Sequence, residues 1–330
     1  GEPKIVPEIL EVVVGRVHTV ADGCNLRPRT EIATNGCFDE RVCRFIGENM
    51  DYVVLSLDGP PSVQDLHRPL RGGGGSSAVV ARNARALSAS RAQLSLRVCV
   101  TEASVAHLVS DADWLCRTFR PAMLNFEPVR PTVESERAGL RPPSPWEFAA
   151  AVHRASRTAA GYNVGTTYAS ALIDEVRHAF CPLGRDVPIL CPDGAVNACY
   201  MLERDWMDKG LDLRLGRAAD DGALAVDPGA VARIRALGKI PPACDTCFCR
   251  WHCAGGCVVS MRPSRRRDGP DDFCVQTRLL VACRILDRLR RPDLADRLVE
   301  DRAAQERLVR QVTDRACDWR LRKGMPVSLS

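Results

Sequence analysis

Short apolar runs alternate with stretches of helical periodicity over the first 130 residues. Ile5, Ile9, Val13 and Val14 recur at helical spacing and predict a helix within residues 1–20. Thr30 to Gly36 reads as a short strand closed by a turn, and residues 38–49 as a helix with Val42, Phe45 and Ile46 on one side. Asp51 to Leu57 is a strand built on the run Tyr52-Val53-Val54-Leu55. Residues 62–75 read as an irregular loop ending in four glycines, after which Ser76 or Ser77 caps a helix to about Ser90. Leu94 to Val100 is a strand, Ala103 to Phe119 a helix and Met123 to Pro128 a strand. This alternation predicts an α/β fold of parallel βαβ units with right-handed crossovers. Asn35, Ser56, Asp58, Thr101 and Glu127 stand at strand C-termini, the rim that carries the active site in a (β/α) barrel. Taken singly each is an ordinary turn residue, and only the set points to a rim.

Residues 130–145, rich in proline, arginine and glutamate, read as a linker. A helix follows from Trp146 to about Ala160, then a short segment to Tyr168 and a helical stretch to His178. From Val275 to about Trp319 the chain reads as helix, with its many charges on a solvated face. The expected division is a partial barrel over 1–140, linker and helices over 141–178, a cysteine-rich domain over 179–275 and a helical tail over 276–330. No internal repeat is evident.

Composition narrows the picture. A chain of 330 residues can bury a sizeable core, and a net charge of +5 is too mild to suggest nucleic acid as a partner. Only four lysines occur, so the positive charge is almost all arginine. No apolar run approaches a membrane span and no signal peptide is present, which predicts a cytoplasmic protein without a membrane partner. The chain opens without methionine, so an N-terminal segment is expected to precede it. Sixteen cysteines is a high count. Disulfides predominate in small secreted domains, whereas clustered C-x2-C spacing in a cytosolic chain points to metal.

The clustering is sharp. Cys244, Cys247, Cys253 and Cys257 follow C-x2-C-x5-C-x3-C, with Cys249 inside the gap. Asp245, Arg250 and His252 make this loop too polar for a packed strand, and Gly255-Gly256 let the backbone bend so that thiolates converge. Upstream, Cys181 is followed by twelve residues, Gly194, four residues and Cys199; downstream stands Cys274. Zinc held by Cys244, Cys247, Cys253 and Cys257 would make a structural, non-catalytic binding module. Zinc does not account for Cys181, Gly194 and Cys199. Most of Cys24, Cys37, Cys43, Cys99, Cys116, Cys283 and Cys317 are expected to be buried small hydrophobes. The glycines at 72–75 do not follow a strand as a phosphate loop would and read as a lid or simple loop.

The seven-cysteine array, from Cys181 to Cys274, is similar at every cysteine to the SPASM domain of radical S-adenosylmethionine enzymes. The first part resembles the same family. Gly1-Glu2-Pro3 resembles the end of its Gly-Gly-Glu-Pro motif and Thr34-Asn35-Gly36 its next strand end. Ser56-Leu57-Asp58-Gly59-Pro60, followed by Asp65, His67 and Arg68, resembles its Ser-Leu-Asp-Gly-Pro segment. The resemblance implies an incomplete (β/α) barrel, a SPASM domain and a helical tail. It also implies that Glu2 meets the amino group of S-adenosylmethionine, Ser56 and Asp65 its ribose, and Arg97 its carboxylate. It gives Cys244, Cys247, Cys253 and Cys274 to a distal 4Fe–4S cluster and Cys181, Cys199 and Cys257 to a nearer one. The nearer set is completed by Cys191 or Cys249, or leaves an iron open to substrate. The family's C-x3-C-x2-C triplet is not present, because Cys24, Cys37 and Cys43 have the wrong spacing; it is expected upstream of residue 1.

The resemblance further implies a peptide maturase that oxidatively crosslinks or dehydrogenates a ribosomally made peptide through a 5′-deoxyadenosyl radical. Its partners would be the peptide or protein substrate and a flavodoxin- or ferredoxin-type reductant. A sulfatase-maturing enzyme is the alternative, disfavoured because Tyr200 stands where that branch has aspartate after Cys199. Tyr200 itself reads as a buried structural tyrosine.

Overall fold

The computed structural model describes residues 6–184, 187–261 and 271–310, so Glu2 and the expected helix beyond residue 310 lie outside the described residues. The chain divides into two units, Gly1–Tyr168 and Ala169–Ser330.

The first unit is a five-stranded, all-parallel sheet in sequence order: β1 (Glu31–Thr34), β2 (Tyr52–Ser56), β3 (Gln93–Val100), β4 (Met123–Pro128) and β5 (Gly165–Thr167). Strands β1 to β4 bury alternate residues. Ile32, Val53, Leu55, Leu94, Leu96, Val98, Leu124 and Phe126 form one fully covered face. The cover comes from α2 (Glu40–Asn49), α4 (Ser77–Ser88), α5 (Leu108–Phe119) and α7 (Pro145–Ala160). Each presents an apolar stripe at i, i+3, i+4 spacing, such as Val80, Ala84 and Leu87 on α4 or Phe148, Val152, Ala155 and Ala159 on α7. Burying one such Leu, Val or Phe side chain is worth about 1.5–3 kcal/mol, so this face holds the sheet together. The N-terminal α1 (Pro7–Gly23) forms as expected, yet only Val14 and Ala21 are buried on it.

Three expectations change here. Residues 62–75 are not wholly loop: Pro61 opens a short helix α3 (Pro61–His67), its fixed φ suited to a first turn. The glycines after it make a closed turn, with Gly73 N donating to Leu70 O at 2.9 Å and Leu70 N to Gly74 O at 3.1 Å. Neither Ser76 nor Ser77 caps α4. The Asp65 carboxylate does, accepting from Ser77 N (2.7 Å) and Ser77 Oγ (2.8 Å), while Ser76 Oγ accepts from Gln64 Nε2 at 3.1 Å. The first unit, expected to end at 140, runs on through the helix expected from Trp146 to about Ala160, which forms as α7, and through β5, the last crossover of the sheet, to Tyr168. Between β4 and α7 lies α6 (Val133–Arg137), closed by a capping box between Thr132 and Ser135.

The second unit holds a four-stranded antiparallel sheet: β6 (Ile189–Leu190), β7 (Ala195–Asn197), β8 (Arg214–Ala218) and β9 (Leu224–Val226). With α8 (Glu203–Met207) and α9 (Pro228–Leu237) it encloses a core of Trp206, Leu183, Val196, Leu211, Leu213, Leu215 and Ile234. Then come α10 (Arg250–Cys253), α11 (Val258–Met261), α12 (Asp272–Arg288) and α13 (Pro292–Glu300). Residues 169–178, expected helical, are irregular. The Arg177 guanidinium takes up the carbonyls of Ala169, His252 and Phe180 in place of a helical ladder. The expected solvated helix beyond 275 is also corrected. In α12 every residue from Val275 to Val281 is buried, together with Cys283, so its first half is interior. Among the described residues no helix is long and apolar enough to cross a membrane.

Candidate functional site

In the first unit the face of the sheet opposite the helices is half-exposed and polar. Ladder register aligns Ser56 with Arg97, Arg97 with Asn125 and Asn125 with Thr167. Residues paired across neighbouring strands share a face, so these four make one polar row across β2 to β5. Thr167 Oγ1 donates to Asn125 Oδ1 at 2.7 Å. Two sequence candidates, Ser56 and Arg97, are therefore immediate neighbours. Asn125 and Thr167 were missed, because cross-strand register is not written in a single sequence.

The rim above this row is stitched by Asp58. Its carboxylate is fully buried, with Oδ2 2.9 Å from Arg68 Nε and Oδ1 accepting from Arg68 Nη2 (3.1 Å) and from Cys99 N (2.9 Å). His67 Nδ1 lies 3.2 Å from Oδ2, and its Nε2 lies 3.1 Å from Thr101 Oγ1. Burial alone would raise the acid; the His67 hydrogen bond and the Arg68 charge outweigh it and hold Asp58 below the usual carboxylate range. Burial next to that charge pushes the Cys99 thiol up to about 12. The network ties β2, α3 and β3 into one rigid edge. Asp65 faces elsewhere: both its oxygens serve the start of α4, and a Cβ on Gly75 would collide with its carboxylate.

In the second unit the sequence array is assembled from four segments. Cys181 precedes β6, Cys199 follows β7, Cys244 to Cys257 form the loop around α10, and Cys274 sits in the first turn of α12. Ala254 (φ +47), Gly255 (φ +83) and Gly256 (φ +77) are three consecutive left-handed residues, which turn the chain between Cys253 and Cys257. The Asp245–Arg250 ion pair, 2.8 Å, closes the loop on itself. Gly194 (φ +80) makes the turn from Cys191 to β7, where Asn197 Nδ2 donates to Cys191 Sγ at 3.2 Å.

The sulfurs fall into two electrically connected groups. Cys244 and Cys247 act on Cys253, Cys253 acts on Cys274, and Cys257 acts on Cys181. Cys249 is fully buried and donates its S–H to Cys247, which with the Arg278 charge lowers the Cys247 thiol to about 6. Cys249 thus belongs beside Cys247, and its own thiol is pushed far up, first by burial. Burial raises Cys253 to about 11 and raises Cys274 further. Thiols of this kind would give up their protons on ligating a metal.

Donor chemistry and unpaired atoms both fit a bound group. Among the described residues Asp111 Oδ2 and Trp206 Nε1 are buried without a hydrogen-bond partner, and so are Asn197 Oδ1, Arg250 Nε, His252 Nδ1, Ser260 Oγ and Arg278 Nε, which lie in or beside the cysteine segments. Buried polar atoms are rarely left orphaned in a folded protein, so a polar occupant is called for here. Among the described residues no group of three or more His, Cys, Asp or Glu side chains is arranged to hold a metal ion.

The remaining cysteines and Tyr200 divide. Cys43, Cys116 and Cys283 are buried as expected, whereas Cys37 and Cys99 are half-buried and Cys24 is exposed; Cys317 lies outside the described residues. Tyr200 is 71% exposed, which corrects its reading as a buried structural residue; its neighbours Cys199 and Met201 are the ones turned to the core.

No protein-family profile matches the chain. Solved structures do. The anaerobic sulfatase-maturating enzyme anSMEcpe with bound AdoMet matches with a TM-score of 0.65 at 19% identity, covering 90% of this chain and 84% of that one. The same enzyme with bound AdoMet and the Kp18Cys peptide matches with a TM-score of 0.64 at 19% identity, covering 90% and 84%. Streptococcus suis SuiB matches with a TM-score of 0.53 at 12% identity, covering 79% of this chain and 62% of that one. At these identities the likeness establishes the fold alone, the one shared with anSMEcpe and SuiB.

Proposed function

We propose that the chain belongs to a radical S-adenosylmethionine maturase that oxidatively modifies a peptide side chain and carries two auxiliary 4Fe–4S clusters. The observation that carries this reading is the cysteine array in its fold: two groups of interacting sulfurs, with unpaired buried polar atoms beside them, in a chain whose other unit is a parallel sheet with a polar open face. anSMEcpe is described with AdoMet and with peptides, and SuiB with S-adenosylmethionine, which supports the same classes of ligand for this chain.

Cys244, Cys247, Cys253 and Cys274 would hold the distal cluster, and Cys181, Cys199 and Cys257 the nearer one. Cys191 is the better fourth ligand there, since Cys249 is committed to Cys247. Ser56 and Arg97 would bind the ribose and carboxylate of S-adenosylmethionine, with Asn125 and Thr167 extending that surface. Asp65, engaged with α4, supports the rim rather than the ribose. When bound, these groups supply one-electron chemistry and a 5′-deoxyadenosyl radical; the chain's own residues orient, desolvate and shield. The reductant is a flavodoxin- or ferredoxin-type protein.

The test is iron and sulfide analysis after anaerobic reconstitution. The expected result is about eight irons with matching sulfide and a broad thiolate-to-iron band. Stoichiometric zinc without sulfide overturns the reading. With the cluster-binding triplet supplied on an N-terminal segment, 5′-deoxyadenosine release is expected, and to fall sharply in Arg97→Ala with its auxiliary iron unchanged.

A further inference from the structure

Arg278 stands one helical turn beyond Cys274 on α12, so the two side chains share a face. It is 7% exposed. One guanidinium nitrogen, Nη1, donates to Val309 O at 2.7 Å, and the group also bonds the Cys247 sulfur. Nε is buried with no partner. The groups that face it are the sulfurs of Cys247, Cys274 and Cys249, and among the described residues it makes no ion pair with a carboxylate. Arginine stays charged at any accessible pH, and burying an uncompensated cation is strongly unfavourable. The interior therefore requires an anion beside Arg278. A thiolate-ligated iron–sulfur cluster, net negative, meets that need.

We infer that Arg278 is the fixed counter-cation of the distal auxiliary cluster and raises its reduction potential. The inference rests on the two-cluster reading above. Its electrostatics are simple. Reduction adds one electron, and so one negative charge, to a site whose ligands are fixed. A buried cation within contact of the ligand sulfurs stabilises the reduced form more than the oxidised one and raises the potential. Arg278 is a positioning residue in this sense, since it acts through Cys247 and not on substrate. Its tie to Val309 fixes the guanidinium, which makes the effect permanent and not dependent on solvent.

The experiment is an anaerobic redox titration of the reconstituted wild-type chain, Arg278→Gln and Arg278→Lys, followed by electron paramagnetic resonance, with iron and sulfide measured on each sample. The expected result is a more negative midpoint for one of two clusters in R278Q, recovered for the most part in R278K, with the other midpoint unmoved. Loss of about half the iron in R278Q alone, with R278K fully loaded, also supports a need for the charge. Unchanged midpoints in fully loaded R278Q overturn the inference, and so does equal iron loss in both variants, which would make the Val309 tie the working contact. Absence of iron and sulfide from the wild type sinks the two-cluster reading instead, so the two failures are distinct.

Discussion

At the scale of single residues, burial has made two acids in the first unit behave oppositely. Asp58 is surrounded by His67, Arg68 and the Cys99 amide and stays charged. Asp111, on α5, is as well buried, but its Oδ2 has no partner and it packs beneath Gly59, whose added Cβ would sit 3.4 Å from the Asp111 carboxyl carbon. Burial lifts Asp111 to about 6, against the milder opposing pull of His107 and His67. The folded-state value thus exceeds the ordinary one of 3.8, so the folded chain holds a proton that the unfolded chain releases. This group costs nothing below about pH 4; its penalty grows as the pH rises to about 6 and is constant above that. Asp111→Asn removes the penalty without changing shape. The stability difference between variant and wild type should widen in favour of Asn, by on the order of 2 kcal/mol, between pH 4 and pH 8. Denaturant unfolding at the two pH values checks it; a difference independent of pH would show that the acid finds a partner.

At the scale of elements, the turn from Cys253 to Cys257 joins local backbone to ligand geometry. Gly255 has φ +83, and a Cβ there would lie 2.6 Å from Pro241 Cδ. Gly222, in the β8–β9 turn, has φ +84 but nothing within 4 Å. Both substitutions to alanine carry left-handed strain of about 1–2 kcal/mol; only Gly255→Ala adds a collision and displaces a ligand-bearing turn. Iron content should therefore fall in G255A and stay whole in G222A, though both unfold more easily. Equal iron in the two would mean that the turn does not position its cysteines. This element is legible in the sequence, because cysteine spacing and paired glycines are local signals. Much else is not. Asn125 and Thr167 join Ser56 and Arg97 only through strand register, and β5 is three residues long, too short to show a period. The Gln276-Thr277-Arg278 run reads as a charged solvated face, yet it is buried, since periodicity cannot report that an arginine has sulfur to face. Residues 169–178 look helical by composition; the Arg177 side chain instead gathers carbonyls from within and beyond the segment.

At the scale of the whole molecule, the two units are held by different means. Unit one folds on a sheet with a continuous aliphatic face and carries none of the seven array cysteines. Unit two has a smaller core around Trp206, and its proposed ligands come from four segments between Cys181 and Cys274. A group that binds all four segments acts as a set of crosslinks, and binding energy becomes folding energy where the site is not formed in the unfolded chain. Without it, the desolvated thiols and the buried Arg278 charge disfavour the closed state. Removing the clusters by anaerobic chelation should then raise amide hydrogen exchange in Cys181–Leu183, residues 244–258 and the first half of α12. Exchange in β2, β3 and α5 should not change. Uniform deprotection across both units would show that they unfold as one and that the cysteine array does not stabilise the second unit on its own. Deprotection confined to the loop at 244–258 would show that Cys181 and Cys199 ligate nothing, which would leave the chain one auxiliary cluster instead of two.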